Sequence, residues 1–220
     1  MKKILTALIF SAFLATSASA DLGVNVGISG QVGIAAATGT ESQANNAGEN
    51  TPSVSKDSEI AALGFASVFI EKTLGDRFSV GIDYVPSSLA SESTTEQKSD
   101  LTGTSAQTTV TNTMKIEFED LTTYYAAFNV TENLYFKAGV AQVDILTKEN
   151  LGTGGSYGDT NTDAMVLGFG YNKTFDNTIF VRFESIYMDF DSASVTSGDN
   201  TVSLTALDTV TGKLSIGKSF

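Results

Sequence analysis

The sequence contains no cysteine, no histidine and no tryptophan, and has two prolines in 220 residues. Without Cys there is no disulfide, no thiolate nucleophile, no iron–sulfur cluster and no Cys-ligated zinc. Without His the usual general base and metal ligand are missing, with every Ser–His or Asp–His catalytic arrangement. No catalytic residue is nominated, no cofactor and no metal, and the chain reads as a non-enzyme. Charge is sparse too: 17% of residues are Asp, Glu, Lys or Arg, against about 25% in a typical soluble domain. The charge that exists is acidic, 25 residues against 13 basic ones, net −12. Phosphate neutralisation needs a basic face, so nucleic acid is not an expected partner. Past the N-terminus no apolar run approaches the roughly 20 residues of a spanning helix. Membrane insertion, if it occurs, must use strands.

The N-terminus reads as a targeting segment. Lys2 and Lys3 precede an apolar run over 4–14, and Ala18-Ser19-Ala20 is a small-x-small cleavage pattern before Asp21. That is the build of a secretory signal peptide over 1–20, leaving 21–220 as the mature domain.

The mature chain alternates with period two. Over 22–36, Leu22, Val24, Val26, Ile28, Val32 and Ile34 share one face, and Gly23, Asn25, Gly27, Ser29, Gln31 and Gly33 share the other. Alternate side chains on a strand point to opposite faces, so this strand has one apolar and one polar or small face. The pattern recurs over 78–84, 114–118, 134–140, 165–171, 179–187 and 202–220. Over 60–70 it is less tidy; Leu63, Phe65 and Phe69 are assigned outward, and Ala62, Gly64 and Ala66 inward. Eight strands result. Alternation slips at Asp120 and at Gln142 and Asp144. A β-bulge at each place, or a position above the membrane, would account for it.

Connections alternate in length. Three are tight, at 72–77, 131–133 and 176–178. Four are long and polar, at 38–57, 86–113, 147–162 and 189–201, and the prolines Pro52 and Pro86 fall within them. The long segment 86–113, rich in Ser, Thr and charge, is expected to lack order of its own. Short turns below and long loops above describe an all-β, eight-stranded antiparallel up-and-down transmembrane β-barrel, with periplasmic turns and extracellular loops. A soluble lipocalin-like ligand-binding barrel is the rival; it would turn its apolar face inward.

Particular residues resemble the small outer-membrane barrels of Gram-negative bacteria, the outer-membrane-protein-A/X-type and opacity-like porin superfamily. The run Val166-Leu-Gly-Phe-Gly-Tyr171, the turn Phe175-Asp-Asn-Thr178 and the run Ile179-Phe-Val-Arg-Phe-Glu184 are similar to that family's recurring hairpin. Val130-Thr-Glu-Asn-Leu-Tyr-Phe-Lys-Ala-Gly139 is a second copy of the turn and ascending strand. Leu214, Ile216 and the terminal aromatic Phe220 resemble the signal read by the barrel-assembly machinery. The resemblance implies a location in the cell outer membrane and contact with its lipids and lipopolysaccharide. It also implies a monomer, without the peptidoglycan-binding domain of some relatives. An extracellular ligand or surface would meet the loops.

Asp83, Lys115, Glu117, Glu119, Lys137, Arg182 and Glu184 are expected to share the lumen. They could form a charged constriction for small solutes or a packed interior of paired charges. An eight-stranded barrel is just wide enough for side chains to fill, which favours packing. Arg182 and Glu184 are expected to reach Lys115, Glu117 and Glu119 across the interior, with a carboxylate as the partner of Arg182. Tyr84, Tyr135, Tyr171 and Tyr187 are assigned to interfacial girdles. Asp159-Thr-Asn-Thr-Asp163 resembles the start of a calcium loop, but Ala164 and Gly170 stand where a Gly and a bidentate Glu belong. Function is expected to be structural or surface-interactive through acidic loops, with a narrow porin as the alternative.

Overall fold

The computed structural model describes residues 23–43, 53–90, 94–102, 106–150, 156–175, 178–197 and 200–220. The expected signal peptide lies outside these residues, as do Asp176 and Asn177 of the third tight turn. Eleven strands form one antiparallel sheet. They are β1 (Val24–Gln43), β2 (Ser53–Leu74), β3 (Phe78–Tyr84), β4 (Leu89–Ala90), β5 (Thr94–Thr102), β6 (Ala106–Asn129), β7 (Leu134–Asn150), β8 (Thr160–Thr174), β9 (Ile179–Phe190), β10 (Ala193–Ser197) and β11 (Asn200–Ser219). Eight of them close a ring in the order β1-β2-β3-β6-β7-β8-β9-β11, with β11 returning to β1. The short β4 and β5 pair with β6, and β10 pairs with β11.

The ring has a definite stagger. Partners followed from Phe78 run through Phe128, Phe136, Phe169, Ser185, Gly212 and Val32 to Gly64. Phe78 also pairs with Leu74 on the same β2, ten residues from Gly64. With strands about 4.8 Å apart and about 3.3 Å per residue, eight strands and a shear of ten tilt by about 40°. Such a barrel has no free edge where it is closed, which is what a bilayer requires of a sheet.

The outer face of the ring is apolar. Ile28, Val32, Ile34, Phe128, Phe136, Val140, Leu167, Phe169, Phe183, Leu214 and Ile216 all stand exposed. Placing a positive charge there should be costly. Phe169→Arg is expected to lower folding stability by about 2–4 kcal/mol, measured by urea titration in lipid vesicles. An unchanged midpoint would mean that the faces are inverted.

Three expectations are corrected. First, the faces of β2 are the reverse of the assignment. Ser67, Phe69 and Glu71 are buried inside and Phe65 packs on the interior core, whereas Ala62, Gly64 and Ala66 are exposed. The lumen needs bulk, and Phe69 supplies it. Its ring lies over Gly27 on β1, where a Cβ would come within 2.5 Å of Cζ. Second, β6 carries a bulge between Glu119 and Thr122, with Asp120 at φ 55°. The bulge exchanges the faces above it. Phe118 therefore pairs with the buried Ile145 and packs against the interior core. Its neighbours two apart, Ile116 and Met114, follow it inward, and Lys115, Glu117 and Glu119 turn outward. At Gln142 and Asp144 the β7 alternation simply continues, and both face out beyond the apolar belt. Third, much of the segment 86–113 is strand: β5 pairs with β6 from Thr94 with Met114 to Thr102 with Ala106. Its many threonines are β-branched and favour extended backbone. The other long connections are likewise shortened, since β1 reaches Gln43 and β2 begins at Ser53.

Candidate functional site

Alternation sends every second side chain of the ring into the lumen, and there the buried charges pair. Arg182 on β9 grips Glu71 on β2 bidentately, Nη2 donating to Oε1 at 2.7 Å and Nη1 to Oε2 at 2.9 Å. Asn25 Nδ2 donates to the same Oε1 at 2.9 Å, and the Tyr125 hydroxyl donates to Oε2 at 3.1 Å. Glu71 is thereby fully satisfied, as a buried carboxylate must be. Arg182 Nε donates to Asn172 Oδ1 at 3.2 Å, and its guanidinium lies 4.7 Å from the Phe180 ring centroid. Two further pairs sit deeper: Lys137 with Glu184, and Lys213 with Asp83. Lys213 is in register with Glu184, two residues past Arg182 on β9. The Lys137 ammonium also rests 4.1 Å from the Tyr125 ring centroid. Each cation has its anion, which offsets the desolvation cost of burial.

Beyond these pairs, away from the short turns, the lumen becomes apolar. Val85, Leu121, Ala141, Val143, Ala164, Val166, Ile186, Met188, Phe190 and Leu207 form one buried cluster, joined by Phe65 and Phe118. On β2, β7, β9 and β11, and at Val85 just past β3, these residues lie farther from the tight turns than the paired Glu71, Lys137, Arg182, Glu184, Lys213 and Asp83. The interior is thus filled twice, by ion pairs below and by hydrocarbon above.

No protein-family model matches the chain, and no curated protein matches it by sequence. The solved structures to which the chain is similar include outer-membrane proteins. The attachment invasion locus protein Ail of Yersinia pestis, in complex with the heparin analogue sucrose octasulfate, is 10% identical, with 87% of this chain and 99% of that chain covered and a TM-score of 0.34. OprG from Pseudomonas aeruginosa is 14% identical over 91% and 97%, with a TM-score of 0.45. The outer membrane protease OmpT from Escherichia coli is 6% identical over 94% and 99%, with a TM-score of 0.46. At these identities and scores the neighbours say nothing of what this chain does. The closed ring, its apolar outside and its paired inside decide the class on their own. This is a closed β-barrel of the membrane-spanning kind.

Of the residues singled out in the sequence, Asp83, Lys137, Arg182 and Glu184 lie together in the lumen of the barrel. Lys115, Glu117 and Glu119 do not join them. They stand above the bulge, so Arg182 finds Glu71 instead of a carboxylate on β6. Lys115 Nζ donates to Glu117 Oε1 at 2.8 Å, and that hydrogen bond holds the Glu117 carboxyl below the usual carboxylate range. Glu71 and Lys213 were missed. Lys213 was legible, because alternation with Leu214 sends it inward. Glu71 was hidden by the inverted faces of β2.

Tyr84, Tyr171 and Tyr187 stand on the outer face. The Tyr84 hydroxyl donates to Asp120 Oδ1 at 2.6 Å, and that of Tyr187 to Asp208. Tyr135 is corrected: it is 3% exposed and inside the lumen, its ring lying across Gly170. Leu214, Ile216 and Phe220 point outward along the last strand. Asp159 to Asp163 make no loop. The segment enters β8, with Thr162 buried inward and Asn161 and Asp163 outward.

Proposed function

We propose that this outer-membrane barrel serves a structural and surface-interaction role and carries no solute through its lumen. The observation that supports this best is the doubly filled interior. Three ion pairs, Arg182–Glu71, Lys137–Glu184 and Lys213–Asp83, lie beneath an apolar cluster that includes Val166, 1% exposed, and Ala141, 0% exposed. A hydrated ion would have to separate charges and then cross hydrocarbon, each at a cost of several kcal/mol. What remains available is the rim, where β1, β2, β5, β6, β10 and β11 carry acidic and hydroxyl side chains beyond the apolar belt. We take outer-membrane lipids and lipopolysaccharide as partners of the belt. The barrel-assembly machinery is taken as the partner of the strand ending at Phe220, and an extracellular surface or ligand as that of the rim. An enzymatic role has no support in a chain without His or Cys. The lipocalin-like reading is disfavoured by an apolar outside and a charged inside.

Planar-bilayer recordings test the reading. The refolded barrel is expected to give no stable conductance steps at moderate salt. A reproducible ion-selective conductance that Arg182→Ala enlarges or reverses would replace this role with that of a narrow porin.

A further inference from the structure

The outer face of the ring is not evenly clad. On its tight-turn half four phenylalanines stand in one register row across β3, β6, β7 and β8: Phe78 beside Phe128, Phe128 beside Phe136, and Phe136 beside Phe169. Their rings pair off, Phe78 with Phe128 at 5.0 Å between centroids and Phe136 with Phe169 at 5.2 Å. The next outward positions on β6 and β7 are Ala126 and Ala138, themselves register partners. Rings standing beside methyl groups leave a hollow of about 570 Å³ in the outer wall. Lys137, Ser185 and Tyr187 also border it, but Lys137 turns inward to Glu184 and the Tyr187 hydroxyl donates to Asp208. We propose that this hollow, with Lys173 at its foot, binds one anionic phospholipid of the periplasmic leaflet, an acyl chain in the hollow and the phosphate on the lysine.

The surroundings decide what fills the hollow. It lies within the apolar belt, where the neighbouring solvent is hydrocarbon. Its walls are ring pairs already packed on each other, so seating a chain against them orders little more of the protein. The column of outward side chains on β8 then leads from the hollow to the interface: Leu167, Phe169, Tyr171 and Lys173. Leu167 and Phe169 border the hollow. Lys173 lies four residues past Phe169, about 13 Å along the strand. The hydrocarbon of one leaflet is about 15 Å deep, half of the bilayer core. A chain lying in the hollow therefore sets its phosphate at the level of Lys173. That lysine is exposed and forms no ion pair among the described residues. The outward Tyr171 hydroxyl adds a donor beside it. The sign of the headgroup follows from the charge at the two edges of the belt. Outward strand charges at the tight-turn edge are Lys72, Lys173 and Lys218. At the opposite edge they are Asp144, Asp163, Asp189 and Asp208. Two carboxylates do stand near the tight turns, but Glu132 borders the lumen cavity and Asp76 sits beside Arg77. An anionic headgroup is thus drawn to the tight-turn edge, which the site takes to be periplasmic as in the role proposed above.

The test uses the mature barrel refolded in a non-ionic detergent and followed by native mass spectrometry. Dioleoyl phosphatidylglycerol and dioleoyl phosphatidylcholine, which share their acyl chains, are titrated separately. One phosphatidylglycerol is expected to stay bound, about fivefold more tightly than phosphatidylcholine, the value of one interfacial lysine against an anionic lipid. Lys173→Gln should bring phosphatidylglycerol down to the phosphatidylcholine level, and Lys173→Arg should keep the preference. Lys72→Gln, on the opposite wall of the ring, should leave it unchanged. Ala138→Trp fills the hollow and should weaken both lipids. If Ala138→Trp does not refold, Ala126→Leu serves in its place, with its fold checked by the β-barrel circular dichroism signal. Equal retention of the two lipids overturns the proposal, as does a preference that Lys72→Gln and Lys173→Gln reduce alike, or lipid binding that a filled hollow leaves intact. Conductance recordings read the closed lumen independently, so a failure here is distinct from a failure of the structural role.

Discussion

Removing Arg182 alone should be among the most damaging single changes in the barrel. Arg182→Met leaves Glu71 buried with its two guanidinium hydrogen bonds gone and only Asn25 and Tyr125 still donating. An uncompensated buried charge of this kind is expected to cost about 3–5 kcal/mol. The double variant Arg182→Met, Glu71→Leu takes both charges away, and the pair as a whole contributes little net stability, so most of the loss should return. Urea titrations of the wild type, both single variants and the double variant in lipid vesicles complete the cycle. Additive losses would show that the two side chains do not depend on each other. A companion measurement sharpens the result: Glu117→Gln, outside the lumen on a partly exposed pair, should leave the urea midpoint nearly unchanged.

Phe69 is the second sensitive point. Phe69→Ala empties the volume between β1 and β2 and removes the ring that lies 6.1 Å from that of Phe180. Loss of a buried Phe is expected to cost about 3–5 kcal/mol. Its register partner Gly27 tests the same contact from the other side. A Cβ there would meet Phe69 Cζ at 2.5 Å and the Ile216 carbonyl oxygen at 2.6 Å. Gly27→Ala is therefore destabilising through overpacking. In the double variant the ring clash vanishes and the backbone clash stays. The combined loss should fall short of the sum of the singles without reaching zero, as followed by urea midpoint. If Phe69→Ala were neutral, the ring would have to lie on the lipid side, and the original assignment of β2 would stand.

Those two residues also show what the sequence made legible. The faces of β1 and of the last half of β11 follow from period two, because their outer positions are large and apolar and their inner positions are small or polar; β8 and β9 keep the same period but also turn Val166, Phe180, Ile186, Met188 and Phe190 inward. β2 breaks that logic in both directions. Its lumen positions include the large apolar Phe65 and Phe69, and its lipid positions include Ala62, Gly64 and Ala66. Interior bulk and exterior smallness are set by packing around the ring, which a single strand does not record. Glu71 was the available clue, since a carboxylate in phase with Phe69 belongs inside. The bulge at Asp120 was marked by a break in alternation. Its consequence, that Met114, Ile116 and Phe118 turn inward and three charged residues turn out, depends on the pairing with β7. The candidate site suffered most from this. Of its seven charges, Asp83, Lys137, Arg182 and Glu184 face the lumen and three lie on the reversed part of β6, while the partner of Arg182 sits on β2, whose faces are also reversed.

The closing pair of the ring has a kinetic meaning. Asn25 meets Ser219, and Val24 exchanges backbone hydrogen bonds with Phe220. Contacts between the two ends of a sequence carry the largest loop-closure entropy, and topologies rich in them fold slowly. Until β11 docks on β1, both strands expose unpaired N–H and C=O groups, which hydrocarbon does not tolerate. Insertion strand by strand is thus disfavoured against a concerted step in which the sheet curls, crosses the bilayer and closes together. Any agent that holds β11 near β1 before insertion would shorten the search for this last contact and accelerate assembly without adding stability to the finished barrel.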